Sequence, residues 1–182
     1  MRIVVCVKHV PDMQSERRFE GGRLVRGEDD VLNELDENAI EAAVQLKESE
    51  EDAGREAEVV ALTMGPEDAE DSLMRALQMG ADRAYIVSDE FLEGSDVITT
   101  ASVLSVAIAK IAEECGPVDL VITGMASLDA MTSMLPAALA AKAHMPLLGL
   151  ARSLSVEDGA VTIERAVDGY TETVRAALPA VV

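Results

Sequence analysis

The chain has 182 residues, 49% of them hydrophobic but only 2% aromatic, and 34 acidic against 15 basic residues give a formal net charge of −19. That length suits one domain, residues 1–182, able to hide about 70% of the surface its unfolded chain exposes, with small aliphatics doing the packing. The charge argues against an electrostatic nucleic-acid binder, since such binding needs clustered Lys and Arg to neutralise phosphates. Met1 leads straight into a strand-like run with no signal-peptide pattern. No apolar run approaches the ~20 residues that span a bilayer, so no membrane insertion is expected. Cys6 and Cys115 form no CxxC pair, which argues against a zinc or dithiol site and fits a reducing, cytoplasmic compartment.

Ile3 to Val7 is a short β-branched run, as in a strand covered on both faces. Residues 10 to 30 hold Pro11, Gly21, Gly22 and Gly27, a long connection with room for a small hairpin over the sheet edge. Asn33 reads as a helix N-cap, followed by acidic residues and an apolar stripe from Leu35 through Ala39, Ile40, Ala43, Val44 and Leu46. Glu58 to Thr63 is a second strand. Pro66 suits a first helical position, with Glu67 and Asp68 in the first turn, and Leu73, Met74, Leu77 and Gln78 carry that helix to a terminal Gly80. Ala84 to Val87 is a third strand. Ser95 or Asp96 caps a long helix through Cys115, which Gly116-Pro117 stops before the strand Val118 to Thr123. Gly124, a Ser/Asp/Thr loop and an Ala-rich helix follow. Past Pro146 the pattern turns to extended segments, Leu150 to Val156, Ala160 to Val167 and Thr171 to Leu178, joined by tight turns. The chain thus reads as α/β, a Rossmann-like doubly wound, mostly parallel sheet with an added antiparallel C-terminal edge.

Ligands of such a sheet collect beyond the C-terminal strand ends where the strand order reverses. On this reading Cys6 to Lys8, Met64-Gly65 and Gly124 to Ser133 converge there. The dinucleotide GxGxxG, the P-loop GxxxxGK[ST] and GxSxG are all missing, and only His9 and His144 are present. His9 reads as a solvated or locally bonded histidine and His144 as a partner of the C-terminal helix dipole. No catalytic side chain and no metal site is expected; a bound cofactor would carry any chemistry.

The pieces VCVKHVPD, LNELDENAIEAAVQLKE, GPEDAEDSLMRALQMGADRAY, DLVITG and ERAVDGYTETVRAALPAVV, in this order, resemble the β (small) subunit of electron transfer flavoprotein along nearly the whole chain. The resemblance implies a heterodimer with a larger, FAD-bearing α subunit, passing electrons from acyl-CoA or related dehydrogenases to an acceptor, as in fatty acid oxidation. It also implies AMP, or a second FAD in electron-bifurcating relatives, in the chain's own pocket. The polypeptide would be an electron-carrier subunit rather than a catalyst by its own side chains.

Carried over by position, that pocket falls on Cys6, on Asn33, Glu34, Leu35 and Asp36, on Met64, and on Met125, Ala126, Ser127, Leu128, Asp129, Thr132 and Ser133. The Asn33 amide would bond a base or ribose edge, the acids beside it would repel phosphate, and the phosphate would sit at Thr132-Ser133. The loop lacks the family's usual Gln and further polar residues, keeping only Asp129, Thr132 and Ser133 in that zone. Losing two charge-assisted bonds of ~1.5–3 kcal/mol each weakens binding roughly a hundred- to ten-thousand-fold. Met131 and Met134 read as core-packing residues. The family's C-terminal partner-wrapping arm is absent after Val182, which reads as a truncated chain in preference to a divergent one. Two other functions stay open: a universal-stress-like nucleotide-binding module, and an interaction-only family member with an empty pocket.

Overall fold

The computed structural model describes residues 1–182. In chain order, β1 (Arg2–Cys6) leads into an excursion made of β2 (His9–Pro11), β3 (Phe19–Glu20), β4 (Arg23–Leu24) and β5 (Asp30–Leu32), and then α1 (Glu34–Asp52). There follow β6 (Glu58–Met64), α2 (Glu70–Gln78), β7 (Arg83–Val87), α3 (Val97–Cys115), β8 (Leu120–Thr123) and α4 (Leu135–Ala143). The C-terminal part adds β9 (Ser153–Glu157), β10 (Ala160–Val167), β11 (Tyr170–Ala177) and β12 (Ala180–Val181).

The central sheet is parallel, in the order β12-β8-β1-β6-β7. Its strands are buried on both faces, and alternation sorts their side chains into two apolar cores. Ile3, Val5, Val59, Ala61, Leu120 and Ile122 meet Ile40, Ala43, Leu46, Leu73 and Ala76 of α1 and α2. Val4, Cys6, Val60, Leu62 and Val121 meet Leu104, Ile108, Ile111 and Leu139 of α3 and α4 on the other face. From β1 the chain winds outward through β6 and β7, then crosses back to place β8 on the other side of β1. The strand order therefore reverses between β1 and β8, and the region beyond Cys6 and Thr123 is the position at which open α/β sheets form their ligand crevice.

Local signals account for most boundaries. The Asp96 carboxylate accepts from the Thr99 N–H at 2.7 Å and caps α3, and Gly116, at φ +98°, ends it. Gly80, at φ +118°, follows α2 as expected. The excursion does contain its hairpin, β3–β4, while β2 pairs with β5.

Other expectations need correction. Pro66 precedes a 3₁₀ turn, Glu67–Ala69, and α2 starts only at Glu70; Met74 is exposed, so its apolar face is Leu73, Ala76 and Leu77. β8 begins at Leu120 and β9 at Ser153, because Pro117 has no N–H to give a ladder and Leu150 sits exposed at φ +64°. The antiparallel segment forms its own sheet, β11-β10-β9. The free edge of β8 is taken by β12, which returns in parallel after the hairpins. Val161 and Ile163 then bury the new sheet's apolar side in the α1/α2 layer. No helix is long and apolar enough to cross a membrane.

Candidate functional site

The crevice between β1 and β8 is built around a close approach. A Cβ on Gly124 would lie 2.1 Å from Asp36 Oδ1 and 3.0 Å from the backbone carbonyl carbon and oxygen of Leu35. Only glycine lets β8 end this near the first turn of α1. Asp36 is buried there, its Oδ2 accepting from the Lys8 N–H at 2.8 Å. Burial pushes its carboxyl up to about 7, against hydrogen bonds from Asn33 and from the Lys8 and Gly124 backbones and the charge of Lys8. Cys6, wholly enclosed, is pushed up to about 12 by burial and by the Asp36 charge, so it packs as a neutral thiol. Asp36 thus ties the ends of β1 and β8 to α1 instead of facing a ligand, unlike the exposed Glu34.

Asn33 departs from expectation. It stands at the N-cap position, but its side chain makes no cap bond. Its Nδ2 donates to the Ala126 carbonyl at 2.9 Å and its Oδ1 accepts from the Leu128 N–H at 3.0 Å. Both ends of the amide are engaged with the loop after β8, so Asn33 shapes that loop and does not read a base. Asn33→Ala leaves a buried carbonyl and an amide N–H unpaired at roughly 1–3 kcal/mol per group. We expect a loss of at least ~2 kcal/mol in urea unfolding, with faster amide exchange concentrated at residues 125–131.

The loop's outer side holds a cluster that the order of residues did not reveal. Asp129, whose side chain has no solvent exposure, pairs with Lys8 Nζ at 2.9 Å and with Arg26. Burial alone would raise its carboxyl, but hydrogen bonds from Arg26, Lys8 and Ser127 outweigh that and hold it well below the usual carboxylate range. Arg17 donates to the Leu128 carbonyl at 3.2 Å. The cations at the loop are therefore supplied from the β1–β2 connection and the excursion. The signal that pointed to it was the length of the 10–30 connection, with Arg17 and Arg26 inside it.

Met131 and Ser133 adopt left-handed backbone, at φ +52° and +51°, and the Met131 N–H turns back to the Ser127 carbonyl at 2.7 Å. The N–H groups of Thr132, Ser133 and Met134 donate to no backbone carbonyl, just before the first turn of α4. Met125, Met131 and Met134 are exposed by more than half, contrary to the core-packing expectation for Met131 and Met134. Thr123 pairs in register with Cys6, so both side chains face the α3/α4 side, and the buried Thr123 Oγ1 has no hydrogen-bond partner. Met64, half-buried, packs against that same core from the end of β6. The structure thus brings Cys6, Leu35, Asp36 and residues 124–133 around one crevice, with Glu34 on its outside.

His9 lies elsewhere: its Nδ1 meets Ser72 Oγ at 2.8 Å in a buried pair between β2 and α2. His144 ends α4 in left-handed backbone and is exposed.

Residues 22–182 match the model of the electron transfer flavoprotein domain. The chain is 40% identical to electron transfer flavoprotein subunit beta of Mycobacterium leprae, over 99% of its own length and 67% of the relative's. It is 36% identical to the subunit of the same name from Megasphaera elsdenii, over 95% of the chain and 64% of the relative. It is also 34% identical to the caffeyl-CoA reductase-Etf complex subunit CarD of Acetobacterium woodii, over 98% and 66%. The chain spans about two thirds of the length of these relatives. With a family model over most of its residues and this identity across nearly all of it, the chain belongs to the electron transfer flavoprotein β-subunit family.

Proposed function

We propose that the chain is the nucleotide-holding subunit of an electron carrier, pairing with an FAD-bearing α subunit and keeping an adenine nucleotide, AMP or a second FAD, in the β1–β8 crevice. The observation that carries this is a pair of unused polar features at the two ends of the β8–α4 loop: the Thr123 hydroxyl without a partner, and the Thr132–Met134 N–H groups at the entrance to α4. A buried hydroxyl without a partner costs free energy unless something bonds it, and backbone N–H groups at a helix entrance favour phosphate. The residues present fit such a ligand: Thr123 would bond the base or ribose beside Cys6 and Met64, and Thr132–Met134 the phosphate.

A flavin, when bound, supplies the electron transfer; AMP supplies none. The chain's own contribution is to bind, orient and exclude water. Asn33 and Asp129 fix the loop's shape, Gly124 admits the helix, and the aliphatic walls close the site. The name of the Acetobacterium relative, a subunit of a reductase–Etf complex, supports an assembly reading for this chain as well. Acyl-CoA or related dehydrogenases would then be the electron donors.

The test is to release small molecules by denaturing the purified protein and identify them by mass spectrometry, alongside mixing with an α subunit. AMP or FAD at about one per chain, and a stable complex, are expected; Thr123→Val should lower nucleotide retention without unfolding the protein. Neither nucleotide and no complex would leave the interaction-only reading, for which the exposed Met125, Met131 and Met134 would be the contact surface.

A further inference from the structure

On a protein of charge −19, three cations converge on two adjacent loop residues: Lys8 and Arg26 on the Asp129 side chain, and Arg17 on the Leu128 carbonyl. Asp129 is the carboxylate that Lys8 and Arg26 share, while Arg17 also lines a surface cleft with Asp12, Glu16, Glu28, Asp29 and Asp30. Asp36, the other acid that feels Lys8, is itself held at about 7 by burial. The geometry is layered. The Asp129 carboxylate lies inside with no exposure, while the Lys8 and Arg26 side chains are 41% and 39% exposed in front of it. An incoming group meets the cations first, and the carboxylate holds Lys8 and Arg26 from behind; Lys8 Nζ already bonds Asp129 and Ser127, so the donors left for an anion are those of the Arg17 and Arg26 guanidiniums, beside the Lys8 charge.

From this we infer that Lys8, Arg17 and Arg26 form a second anion subsite, which takes the outer phosphoryl group of a diphosphate, so that the crevice favours an adenosine diphosphate moiety over AMP. This rests on the nucleotide reading above and narrows it. The inner phosphoryl group would lie on the Thr132–Met134 N–H groups, and Asp129 is three residues from Thr132, at most about 11 Å even in extended chain. The bond from the Met131 N–H to the Ser127 carbonyl folds that stretch back and shortens the distance. A diphosphate, with a hydrogen bond at either end, covers such a span, whereas a monophosphate reaches one subsite only. The three cations also attract the ligand's second negative charge on an otherwise strongly acidic chain.

Titration calorimetry of the nucleotide-stripped protein with AMP, ADP and FAD tests this. ADP should bind at least about tenfold more tightly than AMP in low salt, and the ratio should shrink as salt rises. FAD binding like ADP identifies the dinucleotide as the natural source of the diphosphate; ADP alone showing the preference identifies a free nucleotide. Because Lys8→Met or Arg26→Met alone strands a buried carboxylate, the informative variants are Arg17→Met and Arg17→Glu, at an exposed residue whose one bond to the loop is to the Leu128 carbonyl. Both should bring the ADP-to-AMP ratio close to one while AMP affinity stays within about threefold. AMP and ADP binding equally to the wild type, or an unchanged ratio in both variants, overturns the subsite and leaves the nucleotide reading standing. Binding of none of the three nucleotides overturns both.

Discussion

Gly124→Ala is expected to be among the most damaging single substitutions in this chain, lowering stability by about 3 kcal/mol or more, at the upper end of what overpacking costs. The added methyl would lie 2.1 Å from Asp36 Oδ1 and 3.0 Å from the Leu35 carbonyl carbon and oxygen. A clash with a flexible side-chain end is relieved by a rotamer change, but Leu35 offers backbone, and that backbone is the first turn of α1. Relief therefore requires the helix to slide away from β8. The slide would break the Lys8 N–H bond to Asp36 and strain both Asn33 bonds to the loop. Urea unfolding of Gly124→Ala and of the double variant Gly124→Ala with Asp36→Ala separates the two contacts. The double variant should recover only part of the loss, because the Leu35 contact survives it. Full recovery would mean that the carboxylate alone enforces glycine. Nucleotide retention should fall with stability in both, since β8, α1 and the loop meet at this point.

Much of the scaffold was legible because its signals are local. Short continuous apolar runs marked β1, β6 and β8, Asp96 capped α3 as its position suggested, and Gly80 and Gly116 ended helices where only glycine is comfortable. The placement of the crevice followed from topology, since winding out through β6 and β7 and returning to β8 leaves only one point of reversal. What escaped the sequence depends on pairs far apart in the chain. Asn33 looks like a cap from its neighbours, yet it bonds Ala126 and Leu128, more than ninety residues away. Lys8 and Arg26 carry no motif, and only the folding of the excursion over the β1 end places them on Asp129. The position of β12 was hidden for a similar reason: a two-residue strand has no periodicity to read, and its partner β8 lies some sixty residues earlier. Met131 and Met134 show the limit of composition as a guide. Apolar residues at helical spacing usually pack inward, but these sit on an irregular loop whose conformation is fixed by its polar neighbours.

Asp36 gives the fold a pH dependence of unusual sign for a carboxylate. Most native carboxylates are held lower than in the unfolded chain and stabilise as pH rises; burial holds Asp36 at about 7, above its ordinary 3.8. Between those values the folded protein retains a proton that the unfolded chain has released, so stability falls as pH rises and levels off above about 7. Over the full window the effect is on the order of 4 kcal/mol. Asp129 runs the other way, since its lowered carboxyl stabilises the fold above the unfolded value and loses that contribution only in acid. It is therefore constant from pH 5 upward and does not mask Asp36. Repulsion within a chain of charge −19 also changes with pH, and comparison with Asp36→Asn subtracts it. The amide keeps the shape and one acceptor but cannot ionise, at the cost of one of the two backbone bonds. Urea unfolding at pH 5, 6, 7 and 8 should show Asp36→Asn gaining roughly 2–3 kcal/mol on the wild type between pH 5 and pH 8. Parallel curves would place the titration outside this window and show that the Lys8 and Gly124 N–H groups hold the carboxylate ionised in spite of its burial. The loop should respond in the opposite sense, since ionised Asp36 draws the ends of β1 and β8 together through Lys8 and Gly124. Amide exchange at residues 124–128 is therefore expected to slow in the wild type as pH rises through 7, once corrected for its intrinsic pH dependence, even as global stability declines.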